Sequence, residues 1–187
     1  MENNIALTFI KGKNIELWAP TLEKVNLYAK WVNLPTGRSF SRVALPQRIS
    51  ELKQLLEPKP EFEVQANVYL EIHHNQDNKP IGIAALLNID WLNRNAKVSI
   101  NIGEPEYWGK GIAVEALKLL FDYAFEDLNL HKLYAIIYTP NIRSKRVFEK
   151  LGAQHEATLK EEGYIDGKYY DSEIFTLYKK DWLNKIK

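Results

Sequence analysis

The chain has 187 residues, with 25 basic and 24 acidic side chains, and its net charge of +1 gives no global field to draw it to nucleic acid or an anionic membrane. Apolar residues make up 45% and charged ones 26%, the profile of a globular protein with one core. There is no cysteine, which excludes disulfides, thiolate metal sites and a cysteine nucleophile, and fits a cytoplasmic setting. Met1-Glu2-Asn3-Asn4 lacks the basic-then-apolar pattern of a secretory signal, and no run approaches the ~20 apolar residues of a membrane helix.

Taken in order, Ile5 to Ile10 and Ile15 to Ala19 read as strands around the turn Gly12-Lys13-Asn14. Pro20-Thr21 opens a helix whose Leu22, Val25, Tyr28 and Val32 recur at helical spacing and would face the core, and Pro35 ends it near Asn33. Pro46 suits the first turn of a second helix carrying Ile49, Leu52, Leu55 and Leu56, closed by Glu57-Pro58-Lys59-Pro60. Val68, Leu70 and Ile72 alternate as a strand. Ile81 to Leu87 is a nearly continuous apolar strand, Asn88 to Asn95 a loop, and Lys97 to Ile102 the next strand.

A long helix runs from Gly111 to about Asp127, with Ala113, Leu117, Leu120 and Ala124 as its buried stripe and Glu115, Lys118, Asp122 and Glu126 as its wet face. Leu133 to Tyr138 is a strand, Asn141 caps a short helix ending at Gly152, and His155 to Tyr178 is a hairpin around Asp166-Gly167. The alternation predicts one α/β domain over residues 1–187, with a mixed central sheet of about seven strands flanked by about four helices.

The segment Ile100 to Val114 carries the chemistry. A strand ends, Gly109 and Gly111 follow, and a helix starts, so unpaired first-turn amides point along the positive end of the helix dipole. That arrangement suits a phosphate, with Lys110 at its rim, although the spacing alone serves an ordinary strand-to-helix turn equally well. A Walker loop is excluded because Gly109-Lys110 is followed by Gly111, and the dinucleotide fingerprint has a different glycine spacing.

Tyr107-Trp108-Gly109-Lys110-Gly111-Ile112-Ala113-Val114-Glu115-Ala116 resembles the pyrophosphate-binding motif of the GNAT superfamily of N-acetyltransferases, most of all its RimJ/RimL-like branch. Trp108 stands where Arg or Gln is usual. Asn141 to Ala153, Trp31-Val32-Asn33-Leu34-Pro35 and Asp166 to Asp171 resemble further segments of the same family, in the same order.

The resemblance implies acetyl-CoA as acetyl donor, bound between the splayed strands 97–102 and 133–138. The backbone of Ile100, Asn101 and Ile102 would hydrogen-bond the pantetheine arm. Trp108 and the amides of Gly109, Lys110, Gly111, Ile112, Ala113 and Val114 would surround the pyrophosphate. Asn141 would touch the arm, and Arg143 and Arg146 could reach the nucleotide phosphate, although a solvated helix face explains either arginine as well.

Without cysteine, direct attack of an amine on the thioester is the natural route. Phe148 stands where many relatives place a tyrosine proton donor. Ser144, one helical turn earlier, is the branch's alternative partner for the departing thiolate; a serine bonding local backbone is its structural reading. No base is singled out: Lys97 stands where a glutamate is common, Ser99 and Asn101 could hold a water, and Asp90 or Glu104 could serve from loops. No metal spacing is present.

The expected acceptor is a primary amine, either a protein N-terminus or a small molecule. A polyamine of the spermidine type and a non-catalytic acetyl-CoA-binding module are the alternatives. Family habit suggests a homodimer through the C-terminal hairpin or tail.

Overall fold

The computed structural model describes residues 8–38, 40, 45–57 and 64–186. Strands β1 (Thr8–Lys11) and β2 (Ile15–Trp18) form the first hairpin; the expected residues 5–7 lie outside the described ones. A 3-10 turn at Leu22–Lys24 leads into α1 (Val25–Asn33), then come α2 (Pro35–Arg38) and α3 (Ile49–Leu56). Strands β3 (Val68–His74), β4 (Lys79–Asp90) and β5 (Asn95–Ile102) follow as an antiparallel meander. Helix α4 (Ile112–Asp122) runs on as a π-helical turn, Tyr123–Asp127. Next are β6 (Lys132–Tyr138), α5 (Ile142–Lys150), β7 (Gln154–Ile165), β8 (Lys168–Tyr178) and α6 (Lys179–Ile186).

One eight-stranded sheet, in the order β1-β2-β3-β4-β5-β6-β8-β7, carries the fold. Among the described residues it has one strand more than expected, and six α-helices stand against about four, because α2 is a single turn and α6 lies in the C-terminal tail. Helix α6 is anchored by Trp182, 2% exposed, whose indole N–H donates to Asp122 at 2.7 Å.

Ile15, Leu17, Leu70, Ile72 and Val98 build the core with Ala116, Leu117, Leu120, Phe121 and Phe125 of the α4 segment. Fully burying such a side chain contributes about 1.5–3 kcal/mol. The buried stripe of α4 is therefore Ile112, Ala116/Leu117, Leu120/Phe121 and Ala124, while Ala113 is only half-buried and turns to a cleft. The expected wet face is partly engaged: Glu115 accepts the Asn14 backbone N–H at 2.7 Å and its side-chain amide at 2.8 Å, which ties α4 to the first hairpin.

Two further expectations are corrected. Leu22 is 43% exposed, because the 3-10 turn at 22–24 breaks the helical phase and α1 buries Val25, Tyr28, Ala29 and Trp31 instead. In α3, Ile49 and Leu55 are 45% and 44% exposed. The segment 88–95 is a bulged hairpin end rather than a loop: β4 reaches Asp90, and Asp90 pairs with Asn95. Pro58 and Pro60 lie outside the described residues.

Candidate acetyl-donor site

The pairing of β5 with β6 is parallel and short, spanning Asn95↔Lys132, Ala96↔Leu133 and Lys97↔Tyr134. Beyond that point β6 continues against β8 as far as Tyr138↔Ser172, while β5 continues against β4 as far as Ile102↔Gly82. The two strands part, and a cavity of about 530 Å³ opens between them.

The register decides which backbone groups of β5 face that opening. Gly103 N–H donates to the Ile81 carbonyl at 2.9 Å, so the hydrogen-bonded pairs with β4 continue at Asn101 and Ser99. The N–H and C=O of Ile100 and Ile102 then point the other way, into the gap. Asn101 spends its main chain on β4 and lends only its side chain to the cavity wall. Of the three residues expected to meet a pantetheine arm, Ile100 and Ile102 have the backbone direction for it and Asn101 does not.

At the far end of the strand lies the glycine turn. Gly109 has φ 73° and Gly111 φ 81°, and a β-carbon on either would meet nothing within 4 Å. Their requirement is conformational rather than steric: left-handed geometry disfavours other residues. The first bond of α4 runs from Glu115 N–H to the Gly111 carbonyl at 3.1 Å, so the amides of Ile112, Ala113 and Val114 have no partner within the helix. The turn is tethered from behind. Tyr107, 5% exposed, donates its hydroxyl to Asp77 in the turn between β3 and β4, and the bond from Tyr107 holds the Asp77 carboxyl below its usual range.

The expected residues divide as follows. Ile100, Asn101, Ile102, Trp108, Gly109, Gly111, Ile112, Ala113, Val114, Asn141, Ser144 and Arg146 all line the cavity. Lys110 does not; its ammonium lies 5.4 Å from the Tyr107 ring centroid. Asn141 caps α5 by accepting the Ser144 backbone N–H at 3.2 Å. That bond uses the main chain of Ser144, and its half-buried side chain belongs to the cavity wall. Phe148 reaches the same wall from a buried position against Phe121, with ring centroids 6.3 Å apart.

Among the candidates for a base, Lys97, exposed Ser99 and Asn101 line the cavity. Asp90 is held in its turn by Asn93, whose backbone and side-chain N–H groups donate at 2.8 and 2.7 Å, and these bonds lower its pKa. Glu104 accepts the Trp31 indole N–H at 2.8 Å and faces Lys30 at 3.6 Å. Neither carboxylate is part of the cavity wall. Among the described residues no group of histidines and acids has metal-binding geometry.

Two features were not anticipated from the sequence. Phe40, from the segment after α2, lines the cavity. Glu71 is wholly buried beside α1, its carboxylate held by Tyr28 and Lys24; within β3 it reads as one polar residue between Leu70 and Ile72. Its partner α1 is distant in sequence, so no local pattern signals the burial.

A model of the acetyltransferase (GNAT) domain matches residues 14–154. The chain belongs to the GNAT acetyltransferase family. This GNAT protein is 33% identical to the spermidine N(1)-acetyltransferase of Escherichia coli K12 over 140 residues, covering 70% of this chain and 75% of that one. It is also 32% identical to a putative ribosomal N-acetyltransferase, YdaF, of Bacillus subtilis over 106 residues, 57% of each chain. In three dimensions it resembles the Vibrio cholerae spermidine N-acetyltransferase solved with CoA and spermine, with a TM-score of 0.82 at 26% identity over 92% of this chain and 100% of that one. The sheet and the parted strands are thus those of a GNAT acyltransferase, a family whose donor is acetyl-CoA. Among the described residues no helix is long and apolar enough to cross a membrane.

Proposed function

We propose that this cleft binds acetyl-CoA and that the protein, a RimJ/RimL-like enzyme, transfers the acetyl group directly to a primary amine: a protein N-terminus or a small-molecule amine. The observation that carries the reading is the parting of β5 and β6 after Lys97, with the left-handed glycine turn at its far end. Ile100 and Ile102 would hold the pantetheine arm as an added strand does. The amides from Gly109 to Val114 would take the pyrophosphate, and Asn141 and Arg146 would border the arm and the nucleotide.

The reaction needs two things from these side chains. The incoming amine, mostly protonated near neutral pH since a free lysine titrates near ~10.4, must lose a proton, for which Ser99 and Asn101 would order a water at the wall. The amine nitrogen would then bond to the thioester carbon as the carbon–sulfur bond breaks, and the proton the nitrogen sheds would pass through that water to the departing sulfur, giving the amide and the CoA thiol. Ser144 would donate a hydrogen bond to the departing thiolate, a role closed to Phe148, which has no donor. No acyl-cysteine step is available to a chain without cysteine.

Among the described residues no aspartate or glutamate lines the cavity, while Lys97, Arg143, Arg146 and Lys150 do. That wall supports a singly charged or neutral amine over a polycation, which would call for carboxylates. The second reading, a polyamine acceptor, is favoured by the likeness to spermidine acetyltransferases. A cytoplasmic, homodimeric enzyme is the corresponding setting, in keeping with a chain without cysteine and with family habit.

Calorimetric titration with acetyl-CoA followed by a thiol-release assay over N-terminal peptides, simple amines and spermidine tests the reading. One-to-one binding and turnover on a peptide or simple amine is the expected outcome. Turnover confined to spermidine selects the second reading, binding without turnover leaves a non-catalytic acetyl-CoA module, and absence of binding rejects the assignment.

A further inference from the structure

Trp108 sits where the open strand edge, the glycine turn and the opposite wall of the cleft meet. Its indole N–H donates a 2.8 Å bond to the carbonyl of Ile102, the last acceptor of β5 that faces away from β4. The guanidinium carbon of Arg143, in the first turn of α5, lies 4.6 Å from the centroid of the same ring. Both side chains line the cavity. The edge bond orients the indole, and the face it presents attracts the cation.

An arginine on an exposed helix face samples many rotamers and forfeits that freedom when a ligand fixes it. A ring that already holds the guanidinium removes part of that cost. Lys110, the cation nearest the glycines in sequence, is turned onto Tyr107 instead. The charge at this end of the cleft therefore comes from α5.

We propose that Trp108 is a positioning residue for the phosphate end of the cleft: it closes the open edge of β5 at Ile102 and presets Arg143 to meet a phosphate of the coenzyme. The proposal rests on the acetyl-CoA reading above. That phosphate is either part of the pyrophosphate or on the ribose, and the two present the same chemistry to a guanidinium.

The test compares Trp108→Leu, Trp108→Phe, Arg143→Met, Arg143→Lys and the Trp108→Leu/Arg143→Met double variant. The measurements are steady-state kinetics and calorimetry with CoA and with dephospho-CoA. Trp108→Leu and Arg143→Met should each raise KM for acetyl-CoA and Kd for CoA about 10-fold with kcat within about 2-fold, since the contact acts on binding and not on the reacting bond. The double variant should be no worse than the poorer single one, because the two residues act as a unit. Trp108→Phe, which keeps an aromatic face without the N–H, should fall between, and Arg143→Lys should recover part of the loss.

If the Arg143→Met effect disappears with dephospho-CoA, the guanidinium meets the ribose phosphate; if it persists, it meets the pyrophosphate. Both results support the proposal. Additive losses in the double variant, or a loss of kcat at unchanged KM, overturn it. Should Trp108→Leu fail to fold, the same cycle is run with Trp108→Phe. Wild-type binding of CoA with unaltered variants overturns this proposal alone, whereas a wild-type protein that binds no CoA overturns the cleft assignment with it.

Discussion

The hydroxyl of Tyr28 donates a 2.7 Å hydrogen bond to one oxygen of Glu71, whose other oxygen takes the Lys24 ammonium at 2.8 Å and faces His73 Nδ1 at 3.4 Å. Glu71 is 0% exposed, and these contacts fasten the start of α1 to β3. The same helix reaches the end of the cleft strand through Trp31 and Glu104. Gly103, the residue between Ile102 and Glu104, lies so close under the Trp31 ring that a β-carbon there would clash with it. The helix that covers this side of the sheet is thus pinned at both ends by buried or half-buried carboxylates.

Removing that anchor should cost stability. Glu71→Ala strands the Tyr28 hydroxyl and leaves Lys24 unpaired, at about 2–4 kcal/mol. Lys24 keeps access to water, its side chain being 29% exposed, so Lys24→Met should cost less, about 1–2 kcal/mol. Urea denaturation of the three proteins measures both; equal stability of wild type and Glu71→Ala would show that the cluster holds nothing.

Alkaline pH should weaken the fold through the same residue. Burial first, and then the bond to Glu71, push the Tyr28 phenol well above its ordinary value. A raised folded pKa means stability that is complete below the unfolded value near ~10 and falls as pH rises past it, because only the unfolded phenol releases its proton. Tyr69, Tyr107 and Tyr123 are displaced in the same direction, each chiefly by burial. Denaturation from pH 8 to about 11 should show a falling limb that Tyr28→Phe makes shallower; an unchanged slope would remove Tyr28 as a contributor.

The glycine turn should discriminate by backbone preference rather than by size. At Gly111, with φ 81° and no atom within 4 Å of a β-carbon, any L-residue fits the space but not the dihedral. Gly111→Val should cost about 1–2 kcal/mol and reduce acetyl-CoA affinity at least ~10-fold, whereas Gly111→Asn, which tolerates left-handed geometry, should lose much less. Calorimetry distinguishes the two, and equal losses would point to sterics instead.

Ser144 should govern turnover. Ser144→Ala is expected to lower kcat at least ~10-fold while Kd for acetyl-CoA stays within about 2-fold, since a bond to the departing thiolate forms only as the reaction proceeds. The Asn141 cap, which uses the backbone N–H of Ser144, survives the substitution. Unchanged kcat in a thiol-release assay would take Ser144 out of the mechanism.

Much of this molecule was legible in the order of its residues. Local signals suffice where the cause is local: left-handed turns at Gly109 and Gly111, the Asn141 cap, the alternation of β6 and the 3.6-residue stripe of α4. Even so, the start of that stripe slipped from Ala113 to Ile112, because Gly111 sets where helical geometry begins. Leu22 misled for a similar reason, a 3-10 turn that resets the phase of α1.

What the tertiary structure alone decided is which faces and edges remain available. The parting of β5 from β6 appears only in the strand pairing: β8 follows β6 from Lys132 to Tyr138 on one edge, while on the other β5 pairs with it only from Asn95 to Lys97. Register then turned the backbone groups of Ile100 and Ile102 into the gap, where the Ile102 carbonyl meets the Trp108 indole, and withheld those of Asn101. The burial of Glu71 and the seat of Arg143 on Trp108 likewise join residues far apart in the chain. Propensity and periodicity act over a few neighbouring residues, whereas strand register and side-chain partnership are settled only when distant segments compete for the same surface.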